Sequence, residues 1–407
     1  MAAIASQRKG MSRNRHPARG PARTVVTARG PADLVAAVPY LVGFVPSASV
    51  VVVSLRGPRL RLGLVARLDL PEERYEADAA RSLGEFVRRD GPREVVVLIY
   101  DERTWEPSHR PGQALVDAVE DEFANHHIPV REAVYVTSQR FFSYLCHSPV
   151  CCPESGTPLS ETASSEVAAT YVLQGRSPLA GRQSLADRVA PGAPITIAAV
   201  GTVLDSVVSA ARAWWQSPKD PAWLSWQRDV VAAFDVVARR YADGGRPVSP
   251  DEAGRLLAGL LDSTVRDVVA TRWTRWWLAF PPPTDLAHDE LARQVGRLAA
   301  DGAVPDLEDQ QVAEGVERLL VDLAVRTDGP AALAPLTLLA MQSWSCGDGA
   351  QAGVAIDRVL GIDPAYRMAG LVDALLRSGM APRWVADDRA LDEGVSPRRP
   401  PNVPLTG

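Results

Sequence analysis

Apolar and polar positions follow two regimes along this chain. Before Phe141, short apolar runs alternate with charged helical stretches; after Leu159 the period is helical almost throughout. Asp33 is placed as the N-cap of a short helix over Leu34 to Val38. Gly43, Pro46 and Ser47 break the chain before Val50-Val-Val-Val-Ser-Leu55, an apolar β-branched run that fits a buried strand. Arg56-Gly57-Pro58-Arg59 turns it back into Leu62 to Leu68, giving a hairpin. A helical stretch from Tyr75 to Arg89 leads to the strand Val95-Val-Val-Leu-Ile-Tyr100, a crossover that places two strands parallel. Leu115, Val119 and Phe123 recur at helical spacing on one face. Val134 to Thr137 and Phe141 to Leu145 read as further strands.

Ser164 to Gln174 and Arg182 to Val189 read as helices, and Pro194 to Ala199 fits either a last strand or a helix entry. From Leu204 onward the pattern is helical, punctuated by Pro281-Pro282-Pro283 and Asp328-Gly329-Pro330. Leu338 to Ala340, Gly347-Asp-Gly-Ala350, Ala352, Ala355, Leu360 and Asp363-Pro364 place small residues where two antiparallel helices cross. That is the logic of a tetratricopeptide hairpin, present in one copy. The expected architecture is an α/β N-terminal domain with a mixed, partly parallel sheet and flanking helices. An all-α C-terminal domain with a tetratricopeptide-like hairpin follows. The divisions fall at 1–30 (a basic disordered tail), 31–200, 201–385 and 386–407 (a Pro/Arg-rich tail).

The 407 residues exceed one ordinary core, which agrees with two domains. A net charge of −5 gives no general attraction to nucleic acid or anionic membrane. No run of about 18 apolar residues is found, so no transmembrane helix is expected. The N-terminus carries Arg8, Lys9, Arg13, Arg15, Arg19, Arg23 and Arg29 without a signal-like apolar core, so a cytoplasmic setting is expected. Lysine narrows the chemistry most. Only Lys9 and Lys219 among the 44 basic residues are lysine, one in the tail and one in a Ser-Pro-Lys-Asp-Pro loop. P-loop, protein-kinase and Schiff-base mechanisms each need a positioned lysine, and none is available. No Gly-x-Gly-x-x-Gly follows a strand, and neither Gly-x-Ser-x-Gly nor His-Glu-x-x-His occurs.

Three of the four cysteines lie within seven positions, in Cys146-His147-Ser-Pro-Val-Cys151-Cys152. In extended chain, neighbours point to opposite faces, so one member of each adjacent pair would face a metal. Structural zinc, a reversible disulfide and reduced thiols packed in a turn all stay open, and packed thiols are the favoured reading. A second candidate lies at strand ends, where open α/β sheets bind ligands. Asp69, Asp101 and Glu102, with Ser138 and Arg140, follow three strands there. Carboxylates so placed could hold Mg²⁺ or act as acid and base; that strand ends are simply polar is the favoured reading. The favoured function is a non-catalytic binding or assembly module with the helical half as the surface for a protein partner. A small-molecule enzyme using the strand-end carboxylates is the alternative.

Four stretches together resemble a known family. They are Pro39-Tyr-Leu-Val-Gly-Phe-Val-Pro46, Ala66-Arg-Leu-Asp-Leu-Pro71, Ser143-Tyr-Leu-Cys…Cys-Cys-Pro…Gly-Thr-Pro-Leu159 and Gly347-Asp-Gly-Ala…Asp-Pro-Ala-Tyr366. On these the chain resembles the actinobacterial "domain of unknown function 4192" family over roughly residues 30 to 385. The resemblance implies lineage and a cytoplasmic setting, with no established activity. The family pattern carries an acid where this chain has Ser148, which weakens a role for a carboxylate in that loop.

Overall fold

The computed structural model describes residues 30–146, 148–163, 165–173, 175–215, 220–276, 298, 307, 309–380 and 382. The first 29 residues, His147, Lys219, Trp277, Pro281 to Pro283 and the tail 386–407 lie outside that set.

Helix α1 (Pro31–Val42) begins three residues before the expected start, because Pro31 at the first position has its φ preset and needs no N–H partner. Asp33 therefore sits in the first turn rather than at the cap. The helix runs through Pro39 and stops at Gly43, whose φ of 84° is left-handed. Strands β1 (Ser49–Arg56) and β2 (Arg61–Asp69) form the expected hairpin. A bulge near Ser54 turns the Leu64 N–H toward the buried Asp90 carboxylate, at 2.9 Å.

Helix α2 (Glu76–Arg88) then carries the chain to β3 (Glu94–Tyr100), and helix α3 (Gln113–Ala124) to β4 (Val130–Val136). Strands β5 (Arg140–Ser143) and β6 (Thr157–Pro158) complete a six-stranded sheet ordered β2-β1-β3-β4-β5-β6. β1 is antiparallel to both β2 and β3, so the α2 crossover joins parallel strands with β1 between them. β3 and β4 pair directly and in parallel.

The three central strands are buried on both faces, which is why they read as unbroken aliphatic runs. Val50, Val52, Val95, Val97, Ile99 and Tyr135 pack under α2 and α3 with Leu83, Leu115, Val119 and Phe123. Val51, Val53, Val96, Leu98, Tyr100 and Val134 face α1 through Leu34, Val35 and Val38. The N-terminal half is thus a mixed sheet between two helical layers.

Short helices α4 (Ser160–Ala163), α5 (Glu166–Leu173) and α6 (Arg182–Val189) follow. Pro194 to Ala199, open between strand and helix in the sequence, enters α7 (Pro194–Trp215). Residues Pro194 to Arg212 of α7 are long and apolar enough to cross a membrane by length and composition, although Thr, Ser and Asp205 interrupt the apolar run. In this fold α7 packs along α9 (Pro250–Leu260), with Val203 against Gly254.

Further helices among the described residues are α8 (Pro221–Ala242), α10 (Ser263–Trp273), α11 (Gln310–Val325), α12 (Leu333–Ser345), α13 (Gly349–Ile362) and α14 (Arg367–Arg377). They share one large core with α6, α7 and α9. Every residue of α12 is buried, which makes it the axis of this helical region.

One contact in that core sets a hard limit. A Cβ on Gly315 of α11 would lie 2.5 Å from the backbone of Ala242 at the end of α8. In an exposed helix, glycine to alanine stabilises by up to about 1 kcal/mol. Here the backbone itself obstructs, so Gly315→Ala is expected to destabilise by about 1–3 kcal/mol, as overpacking does. Urea denaturation checks this, and an unchanged or raised midpoint would contradict the close approach.

Candidate functional site

The carboxyl ends of β3 and β4 lie side by side, Tyr100 beside Val136, with the start of β1 next to them. The loops that leave these ends are stitched together. The Asp101 N–H donates to the Val136 carbonyl at 3.1 Å. The Glu102 carboxylate accepts from the Ser138 N–H at 2.8 Å and from its hydroxyl at 2.9 Å. Asp101 accepts from Arg103 at 2.5 Å, and the Arg103 carbonyl takes the Tyr135 hydroxyl at 2.7 Å.

A cleft of about 450 Å³ opens above these ends. Val35, Ala36, Pro39 and Tyr40 of α1 form one side, and Val45 to Ala48 the floor toward β1. Leu159, Thr162, Ala168, Pro178 and Ala180 close the other side. Two features fix those walls. Tyr40 stacks on Tyr171 of α5, with ring centroids 5.1 Å apart. Residues 43 to 45 exchange backbone hydrogen bonds with Leu179, both at 2.9 Å, which holds the Pro178 to Ala180 segment over the cleft. The lining is mostly apolar with a polar end made by Tyr100, Asp101, Glu102, Thr137 and Ser138, the usual make-up of a small-molecule site.

Tyr100 is the least satisfied member of that lining. It is only 6% exposed, and no group among the described residues bonds its hydroxyl. Burial pushes its phenol well above the ordinary value, so it stays protonated and able to donate. A buried unpaired hydroxyl costs about 1–3 kcal/mol. Ala48, also in the lining, holds a left-handed φ of 41°, which costs a residue with a Cβ about 1–3 kcal/mol. Both costs fall on the same cleft.

The sequence candidates divide accordingly. Asp101 and Glu102 reach the cleft with Ser138 beside them. Asp69 sits one strand away, across Ser49 from Tyr100; its side chain is 81% exposed and pairs with Arg67 at 2.6 Å. Among the described residues these acids form no three-ligand group that could hold a metal ion. Arg140 turns elsewhere, donating to the carbonyls of Ser155 and Gly156 at 3.0 and 2.8 Å, where it clamps the cysteine loop. Tyr40, Ala48 and Tyr100 were not singled out in the sequence. The one signal for Tyr100 is that a polar-tipped residue closes an otherwise aliphatic strand.

The cysteine loop lies beyond β5, at the other edge of the cleft's sheet. The Cys152 N–H donates to the Ser148 carbonyl at 2.9 Å, so residues 148–152 form a helical turn, not extended chain. Adjacent side chains then diverge by roughly 100° rather than by half a circle. Cys151 and Cys152 consequently both converge on Cys146, and all three sulfurs lie within 4.8 Å of one another. This corrects the expectation that only one of each adjacent pair could face a common centre. The Cys146 and Cys151 sulfurs are 3.3 Å apart. The hydrogen bond with Cys146 lowers the Cys151 thiol, and burial first, then Cys146, pushes Cys152 up to about 12. His147 lies outside the described residues.

No curated protein and no solved structure matches this chain. One family does, and it spans both halves: the "domain of unknown function (DUF4192)" matches residues 31–383, from the first residue of α1 to beyond α14. The cleft, the cysteine loop and the helical core all fall inside that match, and the chain belongs to the DUF4192 family.

Proposed function

We propose that this chain is a cytoplasmic, non-catalytic binding protein that holds a small ligand in the cleft at the carboxyl ends of β3 and β4. Tyr100 carries the reading: the residue lines an apolar cleft, and its protonated hydroxyl is buried without a partner among the described residues. A ligand that fits would be largely apolar, with one acceptor for Tyr100 and donor groups for the Glu102 and Asp101 end. Both carboxylates are already fixed by Ser138 and Arg103, which suits a rigid recognition pair better than a proton carrier. An enzyme using these acids would need one of them freed toward substrate.

A second reading places a protein partner on the helical half. It is favoured by α7, on which Ile195 is exposed and Ile197, Val207 and Val208 are only half-buried. The tetratricopeptide-like hairpin itself suits this reading less. A peptide groove needs an exposed concave helix face, and α12 is buried on every side.

The test is Tyr100→Phe. Removing an unpaired hydroxyl is expected to raise stability by about 1 kcal/mol. Native mass spectrometry of protein from cell lysate should show a small-molecule adduct on the natural chain, held roughly fivefold more weakly by the variant. A less stable Tyr100→Phe with no adduct on either chain would overturn the proposal. A stoichiometric protein partner, lost when Val207 or Val208 becomes glutamate, would move the function to α7.

A further inference from the structure

The loop between β5 and β6 leaves the sheet with little to hold it. Its Val150 is 93% exposed, and its ties among the described residues include the Ser148 to Cys152 turn, the Arg140 clamp and the Gly156 to Pro153 turn. Yet three thiols from two places in this loop meet at one point. A tetrahedral zinc ion with bonds of about 2.3 Å sets its sulfur ligands about 3.8 Å apart. The observed separations, 3.3 Å for one pair and under 4.8 Å for all, bracket that value.

A disulfide between Cys146 and Cys151 would use two of these sulfurs and leave Cys152 without a role. A soft divalent ion uses all three. The surroundings supply outer support as well. The Cys146 N–H donates to the Ser143 hydroxyl at 2.8 Å, and that hydroxyl donates to Glu132 at 2.7 Å, so the first ligand is fixed to β4 and β5. The other two are set by the helical turn.

We propose that Cys146, Cys151 and Cys152 bind one zinc ion, with a solvent molecule as its fourth ligand, which pins the loop to the sheet edge. Each thiol gives up its proton to solvent on binding, and the ion takes the three thiolates. The site is separate from the cleft and shares no residue with it, so either proposal can fail alone.

The experiment uses the full chain, purified with reductant and without chelator. Elemental analysis is expected to find one zinc per chain, falling to background in Cys152→Ser. Titration of the zinc-stripped chain with cobalt should give a near-ultraviolet thiolate-to-cobalt absorption that saturates at one equivalent. Zinc should then abolish it. If Cys152→Ser does not fold, the cobalt titration of the natural chain decides alone. A chain that carries no zinc and gives no such absorption would overturn the proposal. So would recovery of a Cys146–Cys151 disulfide from reductant-treated, folded protein.

Discussion

Asp235→Ala is expected to remove about 3–5 kcal/mol of folding stability, the range for breaking a buried ion pair from one side. Asp235 of α8 lies in the helical core, where Arg272 reaches it through two nitrogens at 3.2 and 2.6 Å. The indole N–H of Trp273 donates to the same carboxylate at 2.6 Å. Arg272 is only 4% exposed, so without Asp235 its charge has no route to water and no partner of opposite sign among the described residues. Domains of ordinary size are stable by about 5–15 kcal/mol, so this loss approaches the unfolding limit. The pair itself contributes far less than that, because the desolvation of both charges offsets most of their attraction. Asp235→Leu combined with Arg272→Met is therefore expected to recover most of the loss. Urea denaturation of the single and double variants separates the two statements. A single variant within 1 kcal/mol of the natural chain would mean that the carboxylate is not sealed from water.

Phe123→Ala should cost about 3–5 kcal/mol, the range for emptying a fully buried aromatic site. Phe123 is wholly buried among Leu83, Leu115, Val119 and Tyr135, between α3 and the sheet. It lies on the sheet face opposite α1, so the cleft lining stays intact and ligand binding is expected to persist wherever the variant remains folded. Guanidinium denaturation measures the loss. A cost below 1 kcal/mol would show that α3 collapses onto the space, which three other buried residues on that helix oppose.

Phe123 was legible because helical periodicity is local. Leu115, Val119 and Phe123 recur every four residues, and the structure buries all three. The double-sided burial of Val95 to Tyr100 was legible for the same reason: an unbroken aliphatic strand has no polar face to expose. Boundaries fared less well where a residue's local preference met tertiary packing. Pro39 argues for an early end to α1, yet the helix continues to Val42 because Leu34, Val35 and Val38 are held on the sheet. Pro194 to Ala199 carries β-branched residues that suit either state, and packing along α9 decides for helix.

The cleft was hardest to see. Its lining comes from residues 35–48, 100–102, 136–138 and 159–180, and no spacing within one stretch reveals a site assembled from four. Asp101 and Glu102 were found only through the general rule for strand ends. The convergence of the thiols was hidden by an assumption about backbone state, since extended chain and a helical turn give opposite answers for Cys151 and Cys152.

The backbone pairing of residues 43–45 with Leu179 has a consequence for the chain as it is made. Phe44, at the centre of that pairing, is buried in the helical core beside Leu185 and Val189. Synthesis delivers about 5–20 residues per second, so roughly 7–30 s separate the emergence of Phe44 from that of Val189. Over that interval strands β1 to β5 emerge one after another, while Phe44 waits for its cover and the cleft for its Pro178 to Ala180 side. The ligand seat closes only after the ribosome has passed Ala180, so occupancy of the cleft reports a chain that has completed this docking step.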